Sequence, residues 1–167
     1  QGYGVVSALV GFLQPEKARR WDELVAIRCW NIYKDAFEDA EHFARYIDQT
    51  SGHLMTTAAQ QLGPCDEGVV REFAYASGVA AWFQAVPRLE EAKRIPMVDE
   101  RAEAIQELAQ TALDRLIKAR KSRGAVSKAA RPALWPAIGA DKVLKQVIAN
   151  PYVVADGAIQ PAMGNLA

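Results

Sequence analysis

Carboxylates at helical spacing are the first residues of this chain whose types and positions suit chemistry. Asp35 and Asp39 stand four residues apart in Asn31-Ile32-Tyr33-Lys34-Asp35-Ala36-Phe37-Glu38-Asp39-Ala40. On a helix that step puts both side chains on one face, where they are candidates for holding a hard divalent cation such as Mg²⁺. The plainer reading is a solvated helix end with a capping Asp. Other reactive types are sparse. The histidines His42 and His53 and the cysteines Cys29 and Cys65 cannot be written into a zinc site of ordinary spacing. The histidines read as interhelical polar residues, and Cys29, on an apolar face, reads as an inert buried thiol. Two cysteines make no disulfide framework and suit a reducing compartment. The basic run from Lys118 to Arg123 reads as a solvated helix end, complementary to the helix dipole. There is no Gly-rich phosphate loop.

The elements that must position these groups are helical. From Pro15, a favourable first helical residue, Ala18, Trp21, Leu24, Val25, Ile27, Trp30 and Ile32 recur at three- and four-residue steps. A second helix is predicted from Ala40 to Leu62, with Phe43, Tyr46, Ile47, Leu54, Met55, Ala58 and Leu62 inward and Gly63 as a left-handed cap before Pro64. Asp66 caps a third, running through Val70, Phe73, Val79 and Phe83 towards Pro87. After the Ile95-Pro96 break, Asp99 caps a fourth, from Glu100 to about Arg123, stopped by Gly124. Shorter helical pieces are predicted from Ser127 to Ile138 and from Asp141 to Ala149. No run of strand length alternates with period two. The expected fold class is all-α, with one helical domain over residues 1–155 and a tail over 156–167.

Composition narrows the function classes. The chain has 167 residues, half of them apolar, enough for one domain with a core. Twenty Lys and Arg balance twenty Asp and Glu, which removes the electrostatic reason to expect a nucleic-acid partner. No apolar run reaches the roughly 18 residues of a membrane span, and Tyr3–Leu13 lacks the basic start of a signal peptide. The expected setting is the cytoplasm or the mitochondrial matrix.

Two segments carry more than generic helix. One is Tyr46-Ile47-Asp48-Gln49-Thr50-Ser51-Gly52-His53-Leu54-Met55, followed by Ala58-Ala59 and Leu62-Gly63. The other is Ala76-Ser77-Gly78-Val79-Ala80-Ala81-Trp82-Phe83-Gln84-Ala85-Val86-Pro87-Arg88, followed by Arg94-Ile95-Pro96. In order and spacing they resemble the squalene/phytoene synthase family, and Ala129-Ala130-Arg131-Pro132-Ala133-Leu134-Trp135 is similar to that family's late helix. The resemblance implies an isoprenoid-synthase-like bundle, incomplete at its N-terminus. It also implies a prenyl-chain pocket lined by Tyr46, Ser51, Gly52, Met55, Gly78, Gln84 and Arg88. Independently of it, a Gly inside a helix costs about 1 kcal/mol relative to Ala, so Gly52 and Gly78 point to a close crossing of helices or of helix and ligand.

The pattern fails where the family's chemistry resides. Its enzymes hold Mg²⁺ with two Asp-rich motifs, because a departing diphosphate builds negative charge that carboxylate-held cations must neutralise. After Gly78 the second motif is due, but Leu89 and Lys93 stand at its Asp positions, with Arg88 alone retained. The first motif is expected upstream of Gln1. The resemblance is therefore to degenerate, non-catalytic members, the mitochondrial ones being linked to assembly of respiratory complex I. It implies an accessory or assembly protein with a protein partner, a possible long apolar ligand and no cofactor. The alternative is an active Mg²⁺-dependent head-to-head prenyl transferase whose first Asp-rich motif lies outside this chain. A helical scaffold without ligand is a third possibility.

Overall fold

The computed structural model describes residues 36–160. The stretch containing Pro15, Trp21, Cys29, Trp30 and Asp35 lies outside them. Among the described residues the fold is all-α: five α-helices, four shorter helical turns and no β-strand, with a single antiparallel bridge between Cys65 and Val126. No described helix is long and apolar enough to cross a membrane.

Helix α1, Ala40–Ile47, starts where Asp39 accepts the His42 backbone N–H at 2.7 Å. Asp39 is thus a capping residue, which satisfies one of the N–H groups a helix start leaves free. The chain then makes a π-helical turn, Asp48–Gly52, and continues as α2, His53–Leu62. Within the turn the Thr50 hydroxyl donates to the Tyr46 carbonyl at 2.6 Å, competing with the backbone N–H for the acceptor of an ordinary helical bond. The π-turn inserts one extra residue and rotates everything after it by about 100°. That corrects the expected inward face of α2. Leu54 and Leu62 are 39% and 48% exposed and Ala58 is exposed, while His53, Thr56 and Ala59 join Met55, buried as expected, on the inward face.

Helix α3, Glu67–Glu91, is capped by Asp66, which accepts from the Val69 N–H at 2.9 Å. It is buried continuously from Phe73 to Ala80 and forms the centre of the bundle. It runs through Pro87, not up to it. Proline there only leaves the Phe83 carbonyl without its helical donor. Helix α4, Ala102–Lys121, begins two residues later than expected. Asp99 accepts both the backbone N–H and the guanidinium of Arg101, and Arg101 becomes the flanking residue. Ser127 to Ile138 holds a 3-10 helix, Arg131–Ala137, in place of a longer α-helix, and α5 spans Ala140–Ala149.

Two further expectations change. Gly63 is extended, not left-handed. What it supplies is a close approach: a Cβ there would lie 2.8 Å from Ser127 Oγ. The expected tail is docked at its start. The Gln160 backbone N–H donates to Gln146 Oε1 at 2.9 Å, and Ile159 packs on the core.

Candidate functional site

The residues expected to line one pocket fall into two groups. Tyr46, Gly52, Met55 and Gly78 are buried and Ser51 is half-buried beside them; Gln84 and Arg88 are exposed on α3. Tyr46 belongs to an aromatic cluster, edge-on to Phe37 and Trp82 at centroid distances of 5.4 and 5.3 Å. Such edge-to-face pairs are favoured by the ring quadrupoles. The Trp82 indole N–H donates to the Pro96 carbonyl at 2.9 Å and ties the loop after α3 to the same cluster.

Of the two helical glycines, Gly78 acts as the sequence implies, at a crossing, whereas Gly52 meets a side chain of its own turn. A Cβ at Gly78 would lie 2.7 Å from Ile47 Cγ2 and 2.8 Å from Ser51 Oγ. The absent side chain is what lets α3 seat against the π-turn. Gly52 leaves room for a carboxylate: a Cβ there would lie 2.7 Å from Asp48 Oδ1. Asp48 in turn accepts from the Arg71 guanidinium at 2.5 and 2.6 Å, and Arg71 also reaches Glu67 at 2.9 Å. This ion-pair group links the π-turn to the first part of α3.

Gln84 and Arg88 line a concavity of about 450 Å³ with Ala81, Ala85 and Leu89. The spacing of these five is that of one helix face. Small and branched apolar side chains offer an apolar ligand contact, and the exposed amide and guanidinium offer hydrogen-bond donors to an anionic or polar end. Mg²⁺, which the prenyl-transferase alternative would require, does not fit these residues. Leu89 has no donor atom, and Lys93 is a cation, set in a left-handed turn at φ 58°. Among the described residues no three His, Cys, Asp or Glu side chains are grouped so that they could hold a metal ion. Asp39 faces its own helix N-terminus, and Asp35 lies outside the described residues.

A second groove, of about 460 Å³, went unnoticed in the sequence. Phe43, Tyr75, Met97 and Leu108 contribute to its lining, with Asp99, Arg101 and Glu107 among its charged members. Beneath it the Arg115 guanidinium stacks 3.7 Å from the Tyr75 ring centroid and binds both Glu72 oxygens at 2.7 and 3.0 Å. Burial works against the Arg115 charge, but the Glu72 bonds outweigh it and hold the group above its ordinary value. Burial also pushes the Tyr75 phenol up, so this hydroxyl stays protonated. Cys65 is raised as well, by burial and then by Glu67 and Asp66, which makes it a poor nucleophile. Only the helical period of α4 and the Pro96 break hinted at this groove, since its walls come from segments far apart in the chain. No family profile matches the sequence, and neither the curated proteins nor the solved structures contain a significant match.

Proposed function

We propose that the chain is a non-catalytic accessory or assembly protein on a squalene/phytoene-synthase-like helical scaffold, acting through a protein partner. Assembly of respiratory complex I is the setting that the family resemblance implies. One observation carries the reading: the α3 face that would have to present metal carboxylates presents Arg88 and Leu89, with Lys93 just beyond the helix end. A cation at a metal position repels the ion that the condensation chemistry requires. The α3 face that carries Gln84 and Arg88 sets apolar carbon beside an amide and a guanidinium, which supports contact with a long apolar ligand through a polar end, without turning it over.

The test is direct. Incubated with farnesyl or geranylgeranyl diphosphate and Mg²⁺, the protein should give no condensation product above a protein-free control. Turnover that EDTA abolishes would overturn the proposal and restore the enzyme. A partner-dependent protein should also self-associate or bind a hydrophobic dye when alone at micromolar concentration. A monodisperse monomer that binds no dye would refute the obligate partner.

A further inference from the structure

We propose that the groove between α3 and α5 is a binding site for an extended peptide of a partner protein, and that the chain's own residues 157–160 occupy it in cis. The inference stands on the geometry of this segment and is independent of the function proposed above. After the helical turn Pro151–Val153 the chain bends at Gly157, whose φ of 64° favours glycine. There it passes close to α3: a Cβ at Gly157 would lie 3.3 Å from Pro87 Cγ. Three residues on it reaches α5. The Gln160 N–H donates to Gln146 Oε1 at 2.9 Å, and Gln146 Nε2 donates to the Gln160 carbonyl at 3.3 Å. Between these two contacts Ile159 is half-buried against the core, while Ala158 and Gln160 on either side of it are exposed.

One side-chain amide thus takes both backbone groups of one residue, as the opposite residue of an antiparallel strand would. Nε2 has a second hydrogen, which it donates to the Lys142 carbonyl at 3.2 Å, so the amide is held in place by its own helix. Such a clamp reads main chain and not sequence, and it serves any extended peptide that carries a free N–H at that register. Selectivity falls to the Ile159 position, where the fit is incomplete. A depression of about 140 Å³ remains there, lined by Phe83, Gln84, Gly157 and Ile159. A longer or aromatic side chain would gain contacts that isoleucine leaves unmade. The hold on the segment is also slight. Beyond the clamp, its ties are the Ile159 side chain and the Ala158 N–H, which donates to the Val153 carbonyl at 3.0 Å. Opening so lightly held a segment costs little. The partner that fits is therefore an extended stretch with Leu, Met or Phe where this chain has Ile159.

The test uses the full chain and a fluorescent peptide with the sequence of residues 155–160, carrying Ile159→Phe and capped at both ends. Wild type should bind it weakly, because the tethered segment competes at high effective concentration. Ile159→Ser loosens that segment, and so does Gln160→Pro, which removes the clamped N–H at an exposed position. Each variant should bind the peptide on the order of ten-fold more tightly than wild type. Adding Gln146→Ala to either should abolish the gain at an unchanged melting temperature. A peptide N-methylated at the clamped nitrogen should not bind, and the Phe peptide should outcompete the same peptide with Ile several-fold. Equal affinity of wild type and Gln160→Pro for the peptide would overturn the proposal. So would binding that survives Gln146→Ala or N-methylation. Wild-type dimers that the peptide dissociates would reassign the groove to the tail of a second copy and refute it too.

Discussion

Gly78→Ala isolates the contact on which the helix crossing depends. In an unconstrained helix this change is stabilising by about 1 kcal/mol, because Ala has the better propensity and the unfolded chain loses freedom. Here the new methyl would sit 2.7 Å from Ile47 Cγ2, 2.8 Å from Ser51 Oγ and 3.1 Å from Ser51 Cβ. Ile47 is only 2% exposed, and its branched side chain is nearly restricted to one rotamer in a helix. It cannot swing away, so α3 and the π-turn must separate or Ser51 must shift. Overpacking of this kind costs typically 1–3 kcal/mol. The net expectation is a loss of about 1 kcal/mol, read as a lower urea midpoint with an unchanged slope. At this chain length it is also a drop of roughly 2–4 °C in melting temperature. Gly78→Leu should lose more, since three further carbons enter the same closed space. Ser51→Gly removes two of the three clashing atoms, so Gly78→Ala should cost less in that background, a coupling of about 0.5 kcal/mol or more. A Gly78→Ala protein more stable than wild type, or strictly additive with Ser51→Gly, would refute the close crossing.

Two other expectations concern the core and one surface pair. The Thr56 hydroxyl is fully buried on α2 with no hydrogen-bond partner among the described residues; Thr56→Val should raise stability by about 1 kcal/mol in urea titration, and a loss would show that the hydroxyl has a partner. Asp141 lies below the ordinary carboxylate range, chiefly through its hydrogen bond to Arg120. Its folded pKa being lowered, its contribution is present above the unfolded value of about 3.9 and lost as pH falls through the folded one. Asp141→Asn should therefore be less stable than wild type at neutral pH, with the difference vanishing in acid; a gap that widens below pH about 4 would contradict the assignment.

Much of the architecture is local and therefore legible in one dimension. Asp39 and Asp66 announce helix starts because a short oxygen-bearing side chain reaches an N–H three residues on. The Pro96 break and the long amphipathic period of α4 identify an all-α chain by the same short-range rules. The glycine at 78 signals a close approach, because nothing else justifies its helical cost. What tertiary structure alone decided is which face α2 buries and what meets across the gaps. The π-turn shifts α2 by one residue, and no propensity marks that slip. The Asp48–Arg71 pair and the Glu72–Arg115 pair join residues 23 and 43 positions apart. The second groove draws Phe43, Tyr75, Met97 and Leu108 from four separate stretches. Trp135 stands in water because its neighbours Leu134 and Ala137 claim the inward positions of a tighter 3-10 turn. Caps and breaks depend on atoms a few bonds away, whereas burial depends on where distant segments come to rest.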